Sequence, residues 1–144
     1  MKDQTLRVEY YAVTTEDKPG VGADIGKKLA KENVNLLALQ AFPSGPGKIQ
    51  VDFVPENPEL FTKTARKLGL TIGQPKTAFL AQGADRAGAL GELLDRLGTK
   101  GINVRATCAV VCGGNRYGAL IWVAPADVEQ ASRVLGAQSA THKV

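Results

Sequence analysis

The chain has 144 residues, 44% hydrophobic and 22% charged, with a mean hydropathy near zero, a balance that excludes disordered, collagenous and fibrous classes. The net charge of +4 is spread, with 10 basic and 9 acidic side chains in residues 1–74 and 8 and 5 in residues 75–144, so neither nucleic acid nor a membrane surface is an expected partner. No apolar run reaches the roughly 18 residues of a membrane span, and Met1-Lys2-Asp3-Gln4-Thr5 lacks a signal-peptide core, so a cytoplasmic location is expected.

In chain order, Arg7 to Thr14 is rich in Val and Tyr and suits a strand. The turn Glu16-Asp17-Lys18-Pro19-Gly20 breaks it, and Val21, Ile25 and Leu29 recur at helical spacing. Leu36 to Phe42 is an apolar strand, closed by the turn cluster Pro43-Ser44-Gly45-Pro46-Gly47. Ile49, Val51 and Phe53 alternate with Gln50 and Asp52, the period of a half-buried strand. Pro58 opens a helix with Leu60, Phe61, Thr64, Ala65 and Leu68 inward and Gly69 as its stop, and Leu70-Thr71-Ile72 is expected as a short closing strand.

The second half repeats the first at a separation of 68. Asp17-Lys18-Pro19-Gly20-Val21 falls on Asp85-Arg86-Ala87-Gly88-Ala89, Leu29 on Leu97, and Val34-Asn35-Leu36 on Ile102-Asn103-Val104. The same series follows: strand Thr77 to Gln82, a helix from Gly88 with Leu90, Leu93, Leu94 and Leu97 inward, strand Val104 to Val111, strand Tyr117 to Val123, and helix Ala126 to Leu135. Gly136 to Val144 is small and polar, so the last strand is expected to be poor or contributed differently. The division is therefore 1–74 and 75–144. Two helices per four strands cannot cover both faces of a sheet, so the fold expected is α+β: two ferredoxin-like βαββαβ units with antiparallel sheets packed side by side.

Cys108 and Cys112 share one strand roughly 13 Å apart, too far to bridge each other, and read as small buried hydrophobes. With His142 the single histidine, no His/Cys cluster has ligand spacing and a nucleophilic triad would need a tail residue. No metal, cofactor, catalytic residue or enzymatic activity is expected.

Two polar identities in the repeat are not required by packing: Asp17 with Asp85, and Asn35 with Asn103. Each could tie a turn. Gly20 and Gly88, however, sit where a side chain would shield the first free amides of a helix, whose positive end attracts a carboxylate. An acid and an amide beside such a site suit an ammonium group, and the two together describe an α-amino acid. Gly22 and Gly26 stand where the second helix has Leu90 and Leu94, which reads either as close approach of a ligand or helix or as relaxed packing.

The segments Asp17-Lys18-Pro19-Gly20-Val21, Ile25, Leu29 and Asn33-Val34-Asn35-Leu36, and again Asp85 through Asn103, resemble the ACT domain, an amino-acid-binding regulatory module. The resemblance implies domains that associate side by side with the effector across their interface. One site would then combine Asp17, Gly20 and Val21 with Asn103, the other Asp85, Gly88 and Ala89 with Asn35. Thr15 matches a position that can add a ligand group, but its counterpart is Gly83, so the two sites should differ.

The function expected is a stand-alone tandem regulatory module. A free amino acid would be its effector, an enzyme or regulator of amino-acid metabolism its partner, and a homodimer its assembly. The alternatives are an RNA-binding protein, which needs exposed aromatics on the third strands, and an assembly module without ligand.

Overall fold

The computed structural model describes residues 3–140. Among them, seven strands and four α-helices follow in the order β1 (Gln4–Glu16), α1 (Val21–Lys31), β2 (Leu36–Gly45), β3 (Lys48–Pro55), α2 (Pro58–Lys67), β4 (Lys76–Ala84), α3 (Ala89–Thr99), β5 (Val104–Cys112), β6 (Arg116–Val123), α4 (Val128–Leu135) and β7 (Gln138–Ser139). A 3-10 turn over Pro125–Asp127 leads into α4, where the sequence pattern suggested one helix. Contacts divide these residues into two units, 9–76 and 3–8 with 77–140. The strand β1 contributes to both.

In the 9–76 unit the strand order is β2-β3-β1, antiparallel, with Tyr11 opposite Phe53, Val13 opposite Val51 and Leu39 opposite Phe53. Alternation along β1 and β3 puts Tyr11, Val13, Val51 and Phe53 on one face, and α1 and α2 bury Ile25, Leu29, Phe61 and Ala65 in the same cluster. Phe61 is the hub, with ring centres 5.2 Å from Tyr11 and 5.4 Å from Phe53. Lys67 of α2 donates to Glu32 just past α1, at 2.7 Å.

The 77–140 unit, with residues 3–8, orders its strands β1-β4-β6-β5, the β4·β6 and β5·β6 pairs antiparallel. Phe79, Ala81, Ala119 and Ile121 meet Leu93, Leu97, Ala131 and Leu135 of α3 and α4 in its core. Burial of Leu97, at 0% exposure, is worth roughly 1.5–3 kcal/mol, as is that of Leu29 at 1%. The two units thus realise the ferredoxin-like α+β arrangement, with the helices of each on one core.

All four helices end alike. Asn33, Gly69, Gly101 and Gly136 adopt positive φ of 62°, 73°, 74° and 61°, and the next amide closes back on the helix, as in Leu70 N–H to Ala65 O at 2.9 Å and Ile102 N–H to Leu97 O at 3.0 Å. This is the Schellman stop. It also corrects the expected closing strand: Leu70-Thr71-Ile72 forms none. The Schellman bond turns Leu70 back, and Leu70 and Ile72 pack part-buried against the core, a gain that wins over ladder bonds in a stretch bounded by Gly69, Gly73 and Pro75.

The other closing strand shrinks to β7, parallel to β1 with Leu6 beside Gln138 and Arg7 beside Ser139. The remainder of that expected segment, 141–144, lies outside the described residues. Cys108 and Cys112, read as buried, are exposed. The reason is position: β5 ends the strand order, and its residues from Arg105 to Cys112 are all exposed.

Candidate functional site

Each repeat builds the same junction between first strand and first helix. Gly20 starts α1 at φ 89° and Gly88 starts α3 at φ 86°, a left-handed geometry that glycine adopts without penalty. The loops are pinned at matching places: Asp17 N–H donates to Gly47 O at 3.0 Å, Asp85 N–H to Asn115 O at 2.8 Å. No side chain caps either helix start, and among the described residues, chain neighbours aside, no atom lies within 4 Å of where a Cβ on Gly20 or Gly88 would stand. Val21 N–H is taken by Lys18 O at 3.4 Å and Ala89 N–H by Arg86 O at 3.2 Å, so the uncapped amides at the positive end of each helix are the next two, Gly22 and Ala23 in α1 and Leu90 and Gly91 in α3, where the dipole is worth about 0.3–1 kcal/mol to a carboxylate. Among the described residues, neither the Asp17 nor the Asp85 carboxylate makes a hydrogen bond or ion pair.

The second junction opens on a pocket of about 290 Å³, lined by Asp85, Arg86, Gly88 and Ala89 and by Val110, Val111 and Tyr117 of the sheet. Three of the expected site residues thus meet in one cavity. Arg86 and Tyr117 were not singled out from the sequence. Arg86 stands where the first repeat has Lys18, and a basic residue after the Asp in both repeats was a readable signal; Tyr117 falls on Ile49 and had none.

Arg86 is held by Glu92 and by Asp3, whose Oδ2 accepts at 3.1 Å, and it also donates to Ala84 O at 3.1 Å. Glu92 first and Asp3 second raise its pKa above the ordinary guanidinium range. Tyr117 O–H donates to the same Asp3 oxygen at 3.4 Å, and burial followed by the Asp3 charge raises its phenol. Gly83 is what admits Asp3: a Cβ at position 83 would collide with the Asp3 carboxylate. The first junction has Thr15 there, and among the described residues its Lys18 reaches only Glu16, at 3.0 Å on the open surface.

Asn35 and Asn103 differ in the same way. Asn35 Nδ2 donates to Glu56 Oε2 at 3.0 Å while Glu56 N–H returns a bond to Asn35 O at 3.0 Å, a turn-tying role. The position equivalent to Glu56 is Ala124, and Asn103 is exposed with no side-chain hydrogen bond among the described residues. Gly22 and Gly26 face open space, with nothing within 4 Å of an added Cβ, so no helix among the described residues approaches them closely. The aromatics of the third strands are buried, Phe53 to 2%, Tyr117 to 5% and Trp122 to 7% exposure, which leaves no platform there for stacking bases.

No protein-family model matches the sequence, and no curated protein gives a significant match. Solved structures do. The regulatory subunit of aspartate kinase from Thermus thermophilus, in its ligand-free form, aligns over 94% of this chain and 95% of its own at a TM-score of 0.66 and 13% identity. The chain has the ACT-type fold. The Thermus flavus aspartate kinase regulatory subunit agrees, with TM-score 0.57, 14% identity and 94% of each chain covered. A protein from Bacteroides thetaiotaomicron matches at TM-score 0.78 and 18% identity, over 92% of this chain and 88% of its own. At these identities the likeness is one of fold. Both aspartate kinase matches are regulatory subunits, not catalytic ones.

Proposed function

We propose that the chain is a non-enzymatic, cytoplasmic tandem ACT regulatory module that binds a free amino acid and acts on an enzyme or regulator of amino-acid metabolism as a homodimer. Its repeats are 1–74 and 75–144. The observation that carries the reading is the pocket at Gly88: the uncapped amides of Leu90 and Gly91 for a carboxylate, the uncommitted Asp85 for an ammonium group, and Val110 with Val111 for a side chain. The ACT-type fold, shared with aspartate kinase regulatory subunits, agrees with it.

In this reading Asp85, Gly88 and Ala89 act with Asn35, and Asp17, Gly20 and Val21 with Asn103. Regulation follows if the amino acid has different affinity for two arrangements of the assembly, since only differential affinity shifts an equilibrium. Calorimetry against the twenty amino acids is the test: one or a few should bind at or below millimolar concentration, and silence from all twenty would remove the reading. Asn103→Ala should abolish the Asp17 site and spare the other. Equal loss at both would break the pairing.

A further inference from the structure

We infer that the Asp3 carboxylate is a built-in competitor at the Gly88 pocket: it fills the guanidinium fork of Arg86 where an acidic side chain of an effector would dock, and so restricts the pocket to effectors with uncharged side chains. The inference rests on the proposed function for the pocket's being an amino-acid site, and adds which side chains that site refuses.

Arg86 and Tyr117 both line the pocket. Both terminal nitrogens of the guanidinium face Asp3, Nη2 donating to Oδ2 at 3.1 Å and Nη1 to Oδ1 at 3.5 Å. Two parallel bonds from one guanidinium to one carboxylate are the geometry by which arginine recognises carboxylates in general. Tyr117 O–H donates to the same Oδ2 at 3.4 Å. Two pocket side chains able to hold a carboxylate thus converge on one that belongs to the chain itself. Glu92 and Ala84 O bind the guanidinium as well, so the fork keeps its aim when Asp3 leaves.

Asp3 stands 83 residues before Arg86 and reaches it past Gly83, where a Cβ would collide with the carboxylate. With 32% of the Asp3 side chain and 39% of that of Arg86 exposed, the pair meets water and can open. An acidic effector must therefore displace a tethered carboxylate, present at the fork at an effective concentration of about millimolar or more. It must also approach Asp3, Asp85 and Glu92 together, and like charges disfavour that. An uncharged side chain makes neither demand, and Leu90, Ala109, Val110 and Val111 offer it an apolar lining. The first junction has neither half of this arrangement: Thr15 stands at the position of Gly83, and Lys18 supplies a point charge where Arg86 supplies a fork.

Calorimetry on the full chain with each of the twenty amino acids is the test, run on the parent, Asp3→Ala and Gly83→Ala. The first variant removes the carboxylate and the second pushes it aside, so they vacate the fork by different routes. The parent should bind one or more amino acids with uncharged side chains and hold L-aspartate and L-glutamate at least about tenfold more weakly; in both variants one of those two acids should gain at least about tenfold over the parent. Arg86→Gln added to Asp3→Ala should erase the gain, and a gain that survives it overturns the role of the fork. A parent that binds aspartate or glutamate as tightly as any other amino acid overturns the competitor and leaves the amino-acid site standing. So does Asp3→Ala that binds the parent's effector without gaining an acidic one. Silence from all twenty in the parent and both variants removes the site itself, and the competitor with it. If Gly83→Ala loses its circular dichroism, Asp3→Ala decides alone.

Discussion

The two helix starts have one backbone and two surroundings. Gly20 and Gly88 differ by 3° in φ, and their loops hang from equivalent hairpin turns. Around Gly88, however, Asp3, Arg86, Glu92 and Tyr117 form a connected polar cluster beside a pocket, whereas around Gly20 the basic residue pairs only with its neighbour Glu16. Duplication preserved what the backbone needs, a residue free to take positive φ. It did not preserve the side chains that surround it. Gly83, where the first repeat has Thr15, leaves room for the carboxylate of Asp3.

The largest expected effects test whether the cores also match. Leu29→Ala and Leu97→Ala remove equivalent, fully buried side chains, and each should cost about 2–5 kcal/mol in denaturant unfolding. Costs differing by more than about 2 kcal/mol would show that the two cores are not packed alike. Next, Gly20→Ala and Gly88→Ala meet no steric obstacle but force alanine to positive φ, so each should cost about 1–2 kcal/mol. Unequal costs would mean that one loop relaxes and the other is held by its cluster.

Gly83→Ala should displace the Asp3 carboxylate and cost about 0.5–1.5 kcal/mol in lost hydrogen bonding. Added to Asp3→Ala it should cost almost nothing further; full additivity in a double-mutant cycle would sever Gly83 from the cluster. The smallest effect is one of pH. Burial first, and the hydrogen bond to Glu9 second, push the Tyr11 phenol up to about 12. Folding thus favours the protonated form, and its stabilising contribution is whole below about pH 10 and lost as pH rises through about 12. The residue equivalent to Tyr11 is Phe79. Tyr11→Phe should therefore flatten the fall in denaturation midpoint across that window, and an unchanged slope would remove Tyr11 as its source.

Periodicity made most of this fold legible. Val21, Ile25 and Leu29, and the alternation of Ile49, Val51 and Phe53, define their elements without any tertiary context, and the shift of 68 exposed the duplication. What it could not expose was determined by position in the sheet. Leu70-Thr71-Ile72 looks like a strand because it is apolar and branched, yet the Schellman turn before it turns Leu70 back onto the core. Cys108 and Cys112 look buried because their strand is apolar, but burial depends on a neighbour that an edge lacks. At the junctions, Asp85 and Gly88 were legible as repeated identities. Asp3 was not, because it joins Arg86 across 83 residues of sequence and only a glycine marks its place.

The sharing of β1 bears on the order in which the chain can be completed. Residues 3–8 belong with residues that follow position 77, while 9–16 of the same strand belong with 9–76. Residues 3–8 must wait for the second half of the sequence before they acquire their partners. Removing the first eight residues would injure the half of the protein farthest from them in sequence, and a second repeat expressed by itself would begin one strand short.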